Sequence, residues 1–171
     1  MLSLRISLTL ACAALSSCAG YQLGGSKPAP LAEVRTLHVP FFANKTLAHR
    51  AEVLATNAAI NALVHDGSYT VTSDAQADAV LEGVVEAVSY SQVSSARTDT
   101  LRSRELEMVV RIQWMVHGGP AGAKRALVSG TSTGSTRFFV DPNLQTARNN
   151  ALSDAMDRAA QAMVSRLANG W

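Results

Sequence analysis

Cysteine is almost missing from this chain. Its 171 residues hold two, Cys12 and Cys18, and none follows residue 18. No disulfide can close in the chain beyond that point, and no thiolate metal site can form there. The four histidines, His38, His49, His65 and His117, lack metal-ligand spacing, so no metal and no cofactor are expected. Long apolar runs are absent too. The longest near the N-terminus, Ile6 to Leu15, is interrupted by Ser7 and Thr9 and falls short of the roughly 20 residues that cross a bilayer. Aromatics make up 5% of the residues and the formal net charge is +2, which argues against a nucleic-acid partner. Neither G-x-G-x-x-G nor a P-loop pattern occurs.

What the N-terminus does have is an export pattern. Arg5 is the only charge before Cys18, a short apolar stretch follows, and small residues close it. A soluble export signal would end in an A-x-A-like site. Leu15-Ser16-Ser17-Cys18 instead resembles the lipobox of bacterial lipoproteins, in which the cysteine is acylated and becomes the first mature residue. The competing reading is an ordinary signal with a coincidental cysteine. On the lipobox reading, residues 1–17 are a removed lipoprotein signal peptide, and residues 18–33 are the acylated Cys18 plus a flexible tether rich in Gly, Ser and Pro. Residues 34–171 then form one domain. Several acyl chains hold a protein on a membrane surface without spanning it. Ala19 stands where inner-membrane lipoproteins of many Gram-negative bacteria carry Asp, so the implied place is the outer membrane, facing the periplasm. The covalent lipid on Cys18 is the only non-protein group expected.

The periodicities predict a β-α-β-β-β-β-α order. Val34 to Phe42 reads as a strand ended near Pro40. Leu47 to Asp66 reads as a helix, with Val53, Ile60 and Val64 on one stripe, Asn57 between them, and Gly67 as its stop. Tyr69 to Thr72 is a short strand. Ala79 to Tyr90 has two mostly apolar sides, Val80-Val84-Val88-Tyr90 and Leu81-Gly83-Val85-Ala87, as a central strand should. Glu105 to His117 alternates most clearly, and a Gly-Pro-rich turn returns the chain through Ala126 to Val140 as a hairpin. Asp141-Pro142 opens a last helix with an alanine-rich stripe. The fold class is therefore α+β, with two helices on one face of a mixed sheet of four to five strands.

Gly130-Thr131-Ser132-Thr133-Gly134 matches the G-x-S-x-G nucleophile elbow. That device needs a helix after the serine and a histidine later in the chain. Here Ser135 to Val140 continues as strand, and His117 is the last histidine. The segment reads better as a bulged strand, and no catalytic residue is assigned. Charge is unevenly spread: residues 97–137 hold seven Lys/Arg against three Asp/Glu, while residues 19–96 hold four against seven. A basic middle suits either an anionic partner or a solvated strand surface.

Several motifs taken together resemble the LPS-assembly lipoprotein family LptE. Cys18-Ala19-Gly20-Tyr21-Gln22-Leu23 is similar to that family's start, with one extra residue, Ala19, before the glycine. Val39-Pro40-Phe41-Phe42-Ala43-Asn44-Lys45-Thr46 resembles its P-F-x-N-x-T element. Ala77 to Gly83 resembles the start of its third strand, and Arg137 to Pro142 with the Ala-rich helix resembles its C-terminal part. The resemblance implies a non-enzymatic lipoprotein that associates with the LptD-type β-barrel, helps it assemble, and contacts lipopolysaccharide. The Phe-x-Asn-x-Thr element also resembles peptidoglycan-synthase activators, a second envelope-adaptor class. Lipopolysaccharide carries phosphates, which arginine recognises by paired, charge-assisted hydrogen bonds. Arg97, Arg102 and Arg104, in the polar stretch between two strands, are candidates for that contact. Arg148 is another, because it interrupts the last helix's apolar stripe and a buried, unpaired arginine is costly. Arg166 shares its helical angle, but a helix C-terminus accounts for it.

Overall fold

The one-sided alternation from Glu105 to His117 becomes a central strand of the sheet. The computed structural model describes residues 27–73, 77–94, 105–119, 125–140 and 143–170. A 3-10 turn at Ala29–Leu31 leads into β1 (Thr36–His38), β2 (Ala43–Asn44), α1 (Ala51–Asp66), β3 (Thr70–Thr72), β4 (Ala79–Ser94), β5 (Glu105–Gly118), β6 (Arg125–Phe139) and α2 (Leu144–Asn169). The sheet runs β3-β1-β4-β5-β6, with β2 also on β4. β1 lies parallel to β3 and β4, β2 is parallel to β4, and β4-β5-β6 are antiparallel. This is an α+β fold on a mixed sheet.

Among the described residues there are six strands, where four or five were expected, because the chain pairs with β4 again at Ala43–Asn44, just past the expected Val34–Phe42 strand, of which only Thr36–His38 is strand. Pairing with β4 holds at His38↔Val80, lapses, and resumes at Ala43↔Val84. Pro40 in the gap has no N–H to give a ladder. Phe42 fills the space instead: its ring lies where a side chain on Gly83 would stand.

The inward residues of β5, Met108, Val110, Ile112, Trp114 and Val116, are all buried, while Arg111 and Gln113 are exposed. Helix α2 covers that face at β5 and β6, α1 lies against β2, β3 and β4, and the two helices pack on each other. Leu31, Leu37, Leu63 and Leu81 complete the core at 1% exposure or less. Burial of each is worth about 1.5–3 kcal/mol. Leu31 belongs to the segment expected as tether, so packed structure begins before residue 34. Lys27 is already fastened there: its Nζ donates to the Val34 carbonyl at 2.8 Å and lies 4.1 Å from the Tyr69 ring centroid.

Helix α1 starts later and faces differently than the sequence suggests. Its buried residues are Ala51, Ala55, Thr56, Ala58, Ala59 and Leu63, while Val64 is 62% exposed and Asn57 is exposed. Of the expected Val53-Ile60-Val64 stripe, Val64 points away from the core, while Val53 and Ile60 are half-buried and Ile60 packs against the core's edge. The alanine face wins because small side chains let the helix lie close to its neighbours. Gly67, at φ 75°, ends the helix by donating its N–H to the Leu63 carbonyl, as a left-handed cap does.

Strand β4 is not one simple alternation. Val85 pairs with Ile112 but Ala87 pairs with Arg111, which leaves Glu86 as an extra residue. Odd residues Ala79, Leu81, Gly83 and Val85 face inward before this bulge, and even residues Val88 and Tyr90 after it. β6, by contrast, keeps unbroken register with β5 from Val128 to Phe139, and the register shift lies at Val116/His117. The Gly130–Gly134 segment is therefore not bulged.

Helix α2 buries Ala151, Leu152, Ala155, Met156, Ala159, Ala160, Met163, Val164, Leu167 and Ala168. The stripe is centred nearer Met156 and Met163 than Leu144 and Ala162, so Arg148 and Arg166 fall on its border. Residues 141–142 lie outside the described residues. Asn143 precedes the helix without a side-chain cap bond.

Candidate functional site

The bulge at Glu86 sets up the site. It turns Tyr90 to the inward side, opposite Met108, while Phe138 faces the same way opposite Leu106. The Tyr90 and Phe138 rings meet edge to face, with centroids 6.4 Å apart and planes at 78°, a favoured aromatic arrangement. Phe138 is buried, but Tyr90 remains 48% exposed. Above it lies Arg148, whose guanidinium carbon is 5.5 Å from the Tyr90 centroid, within cation–π range. Arg148 itself is exposed, on the second turn of α2. The helix–sheet layer thus ends in an aromatic shelf with a cation on it.

The three arginines of α2 have different fates. Arg158 Nε donates to Asp154 Oδ2 at 3.0 Å. Hydrogen bonds from Thr136 and Arg158 hold the Asp154 carboxyl below its ordinary range. Arg166, in the last turn of α2 as expected, reaches across to donate to the Thr131 carbonyl of β6 at 2.6 Å, so a strand carbonyl joins the helix terminus in accounting for it. Among the described residues, Arg148 alone of the three has no carboxylate or carbonyl partner. Among the described residues, no acceptor occupies its planar fork of N–H donors, a geometry that suits an anionic ligand.

Arg97, Arg102 and Arg104 lie outside the described residues, as does Cys18. The connection holding those three arginines joins Ser94 to Glu105, which are paired directly in the ladder. It therefore leaves the sheet at the end where Tyr90 and Arg148 stand. The sequence shows Arg148 as an exception in an apolar stripe but not Tyr90 as its neighbour, because a bulge between two apolar strand faces leaves no mark in hydrophobicity.

The remaining motifs do structural work. Ser132 is 2% exposed, and its Oγ accepts the Trp114 Nε1–H at 3.0 Å. Gly130 makes room for the Trp114 ring, and Gly134 lets the α2 backbone at Ala155 and Ala159 touch the sheet. Asn44 Oδ1 accepts from Thr46 N and Oγ1, while its Nδ2 donates to the Ala48 carbonyl and to Glu52 Oε2. Phe42 N–H donates to Thr56 Oγ1 at 2.9 Å. Asp78 Oδ2 accepts the Arg35 and Thr36 N–H groups, which hold its carboxyl below the usual range.

The ring nitrogens of His38 and His65 meet the Thr72 and Asn61 carbonyls, and His117 Nε2 lies 3.2 Å from Glu82. Among the described residues, no group of three or more His, Cys, Asp or Glu could hold a metal ion, and no helix is long and apolar enough to cross a membrane. An open groove of about 590 Å³ between α1 and α2 is lined by His65, Asp157 and Ser165 among others. No hydrogen bond joins that histidine to the serine, so no activated nucleophile arises there.

Residues 34–167 match the sequence model of the LptE family, described as lipopolysaccharide-assembly. The chain belongs to that family. Comparison with curated protein sequences returns no match. Among solved structures, protein XCC0632 from Xanthomonas campestris is similar at 12% identity and a TM-score of 0.53, over 85% of this chain and 91% of that one. At that identity the likeness shows the fold alone. A minor lipoprotein from Acinetobacter baumannii is 13% identical with a TM-score of 0.49, over 78% of this chain and 90% of that one. The LptE match takes in all six strands, α1, and α2 as far as Leu167, and the residues behind the family resemblance, Asn44, Thr46, Asp78 and Gly83, are those that fasten loops and admit rings.

Proposed function

We propose that this LptE-family member is an outer-membrane lipoprotein, acylated on Cys18 and facing the periplasm. It associates with an LptD-type β-barrel, assists that barrel's assembly, and contacts lipopolysaccharide during its insertion into the outer membrane. The observation that carries the reading is the family match across nearly the whole folded domain. The role is non-enzymatic: Ser132, centre of the one catalytic-looking motif, is buried and bonded to Trp114.

The arginine end of the domain is the contact for lipopolysaccharide. Arg148 on its Tyr90 shelf, with Arg97, Arg102 and Arg104 in the neighbouring connection, offers guanidinium forks to phosphate. The Asn44–Thr46 element, which also suggests a peptidoglycan-synthase activator, has its side chains engaged in bonds within its own loop. Charge reversal at Arg97, Arg102 and Arg148 is expected to weaken lipopolysaccharide binding in vitro while circular dichroism stays unchanged. Unaltered binding by the folded triple variant refutes the placement. Depleting the protein from cells tests the wider role, since the folded, heat-modifiable form of the barrel should fall with it.

A further inference from the structure

Residues 41–50 carry an apolar and cationic pattern that neither the core nor the Tyr90 shelf uses. Phe41 is 77% exposed and Leu47 is 100% exposed. A single exposed leucine is ordinary; its company here is not. Lys45, His49 and Arg50 are exposed in the same ten residues, and no Asp or Glu falls among them. The nearest acid, Glu52, is engaged by Asn44 at 3.0 Å.

The segment is also held in shape. Lys45 N–H donates to the Val85 carbonyl at 3.0 Å, Asn44 Nδ2 to the Ala48 carbonyl at 2.9 Å, and Ala48 N–H to Thr46 Oγ1 at 3.2 Å. Arg50 holds the left-handed conformation, φ 62°, the only non-glycine among the described residues to do so. Side chains shown from a fixed backbone lose less entropy on docking than those on a loose one. Exposed apolar groups interleaved with three basic side chains, against the single Glu52 carboxylate bonded to the segment, fit an interface that is apolar inside and negative at its surface.

We propose that this loop is a membrane-docking element. Phe41 and Leu47 enter the headgroup boundary of an anionic phospholipid leaflet, and Lys45 and Arg50, with His49 beside them, meet its phosphates. The contact would orient the free lipoprotein before it meets a partner. The reach allows it. Helix α1 has 16 residues, about 24 Å, and separates the loop from Tyr69, where Lys27 is fastened. Residues 18–26 can extend about 30 Å. A lipid on Cys18 and the loop can therefore share one membrane surface.

The test uses the full mature chain with Cys18→Ser, which cannot be acylated, so its outcome does not depend on the lipobox reading. Flotation with phosphatidylglycerol/phosphatidylethanolamine vesicles is compared with flotation on phosphatidylcholine alone. Binding is expected on the anionic vesicles and should weaken in high salt. It should fall about tenfold or more for Lys45→Glu/Arg50→Glu, and about fivefold or more for Leu47→Asp. Leu47 has no core contact to lose, and an unchanged urea midpoint confirms the fold. Absence of binding to anionic vesicles overturns the proposal, as does binding that these variants leave unchanged. If vesicles are not bound and the variants instead release a co-purifying protein, the loop is a protein contact and the lipid proposal fails.

Discussion

Adding one methyl group at Gly134 should unsettle the whole helix–sheet layer. A Cβ there would collide with the Ala155 carbonyl oxygen and the Ala159 nitrogen of α2, and would lie 3.0 Å from the Arg158 carbonyl carbon. These are helix backbone atoms, so no side chain can rotate aside. The helix must lift as a unit, loosening Ala151, Ala155 and Ala159 at once. Alanine in a strand gains about 0.5–1 kcal/mol over glycine. Overpacking costs about 1–3 kcal/mol, occasionally more, and a rigid backbone obstacle puts this case at or above the upper end. The net expectation for Gly134→Ala is a loss of about 2 kcal/mol. With a urea slope of about 1–3 kcal/mol per molar, the unfolding midpoint of the mature Cys18→Ser chain should fall by about 1 M. Thr133→Ala, exposed on the other face, serves as the control and should stay within about 0.5 kcal/mol. If Gly134→Ala melts with the control, the close approach of α2 is wrong, and with it the placement of Arg148 over Tyr90.

Other consequences follow from single side chains. Ser132→Ala strips the buried Trp114 Nε1–H of its acceptor and should cost about 1–3 kcal/mol in urea melts, with no hydrolytic activity to lose; disappearance of a measurable esterase activity would restore the nucleophile reading. Burial, and then the Asp66 carboxylate, push the Tyr69 hydroxyl up to about 12. Between pH 10 and 12 the unfolded chain has released a proton that the folded chain keeps, so stability should fall through that window and be unaffected below it. Tyr69→Phe should flatten the fall in a pH series of melts. Cys18→Ala should abolish palmitate labelling and release the protein from membranes, and persistent labelling would end the lipoprotein reading.

How much of this was legible depends on how asymmetric each element is. β5 has one apolar and one charged face, so its range and buried side could be read directly. β4 is apolar on both sides, and the bulge at Glu86 swaps them without changing composition, which hid Tyr90 until the register was known. α1 is apolar nearly all round. Periodicity favoured its larger residues, Val53, Ile60 and Val64, whereas close packing selected the alanines. The G-x-S-x-G segment was legible as strand, but the reason for its glycines is a tryptophan ring and a helix backbone that lie elsewhere in the sequence. Arg148 could be found because it breaks a pattern. Arg166 shares its helical angle and was set apart by its place at the helix C-terminus; its bond to the Thr131 carbonyl could not be read, since the neighbouring strand supplies it.

The central claim is partnership with a β-barrel, and native co-purification tests it most directly. The acylated chain, tagged at its C-terminus and extracted from outer membranes in mild detergent, should bring down one large LptD-type barrel protein at a one-to-one ratio. A broad, packed interface should hold that complex through a high-salt wash. Recovery of the lipoprotein without any barrel, or with a penicillin-binding protein in its place, would contradict the account.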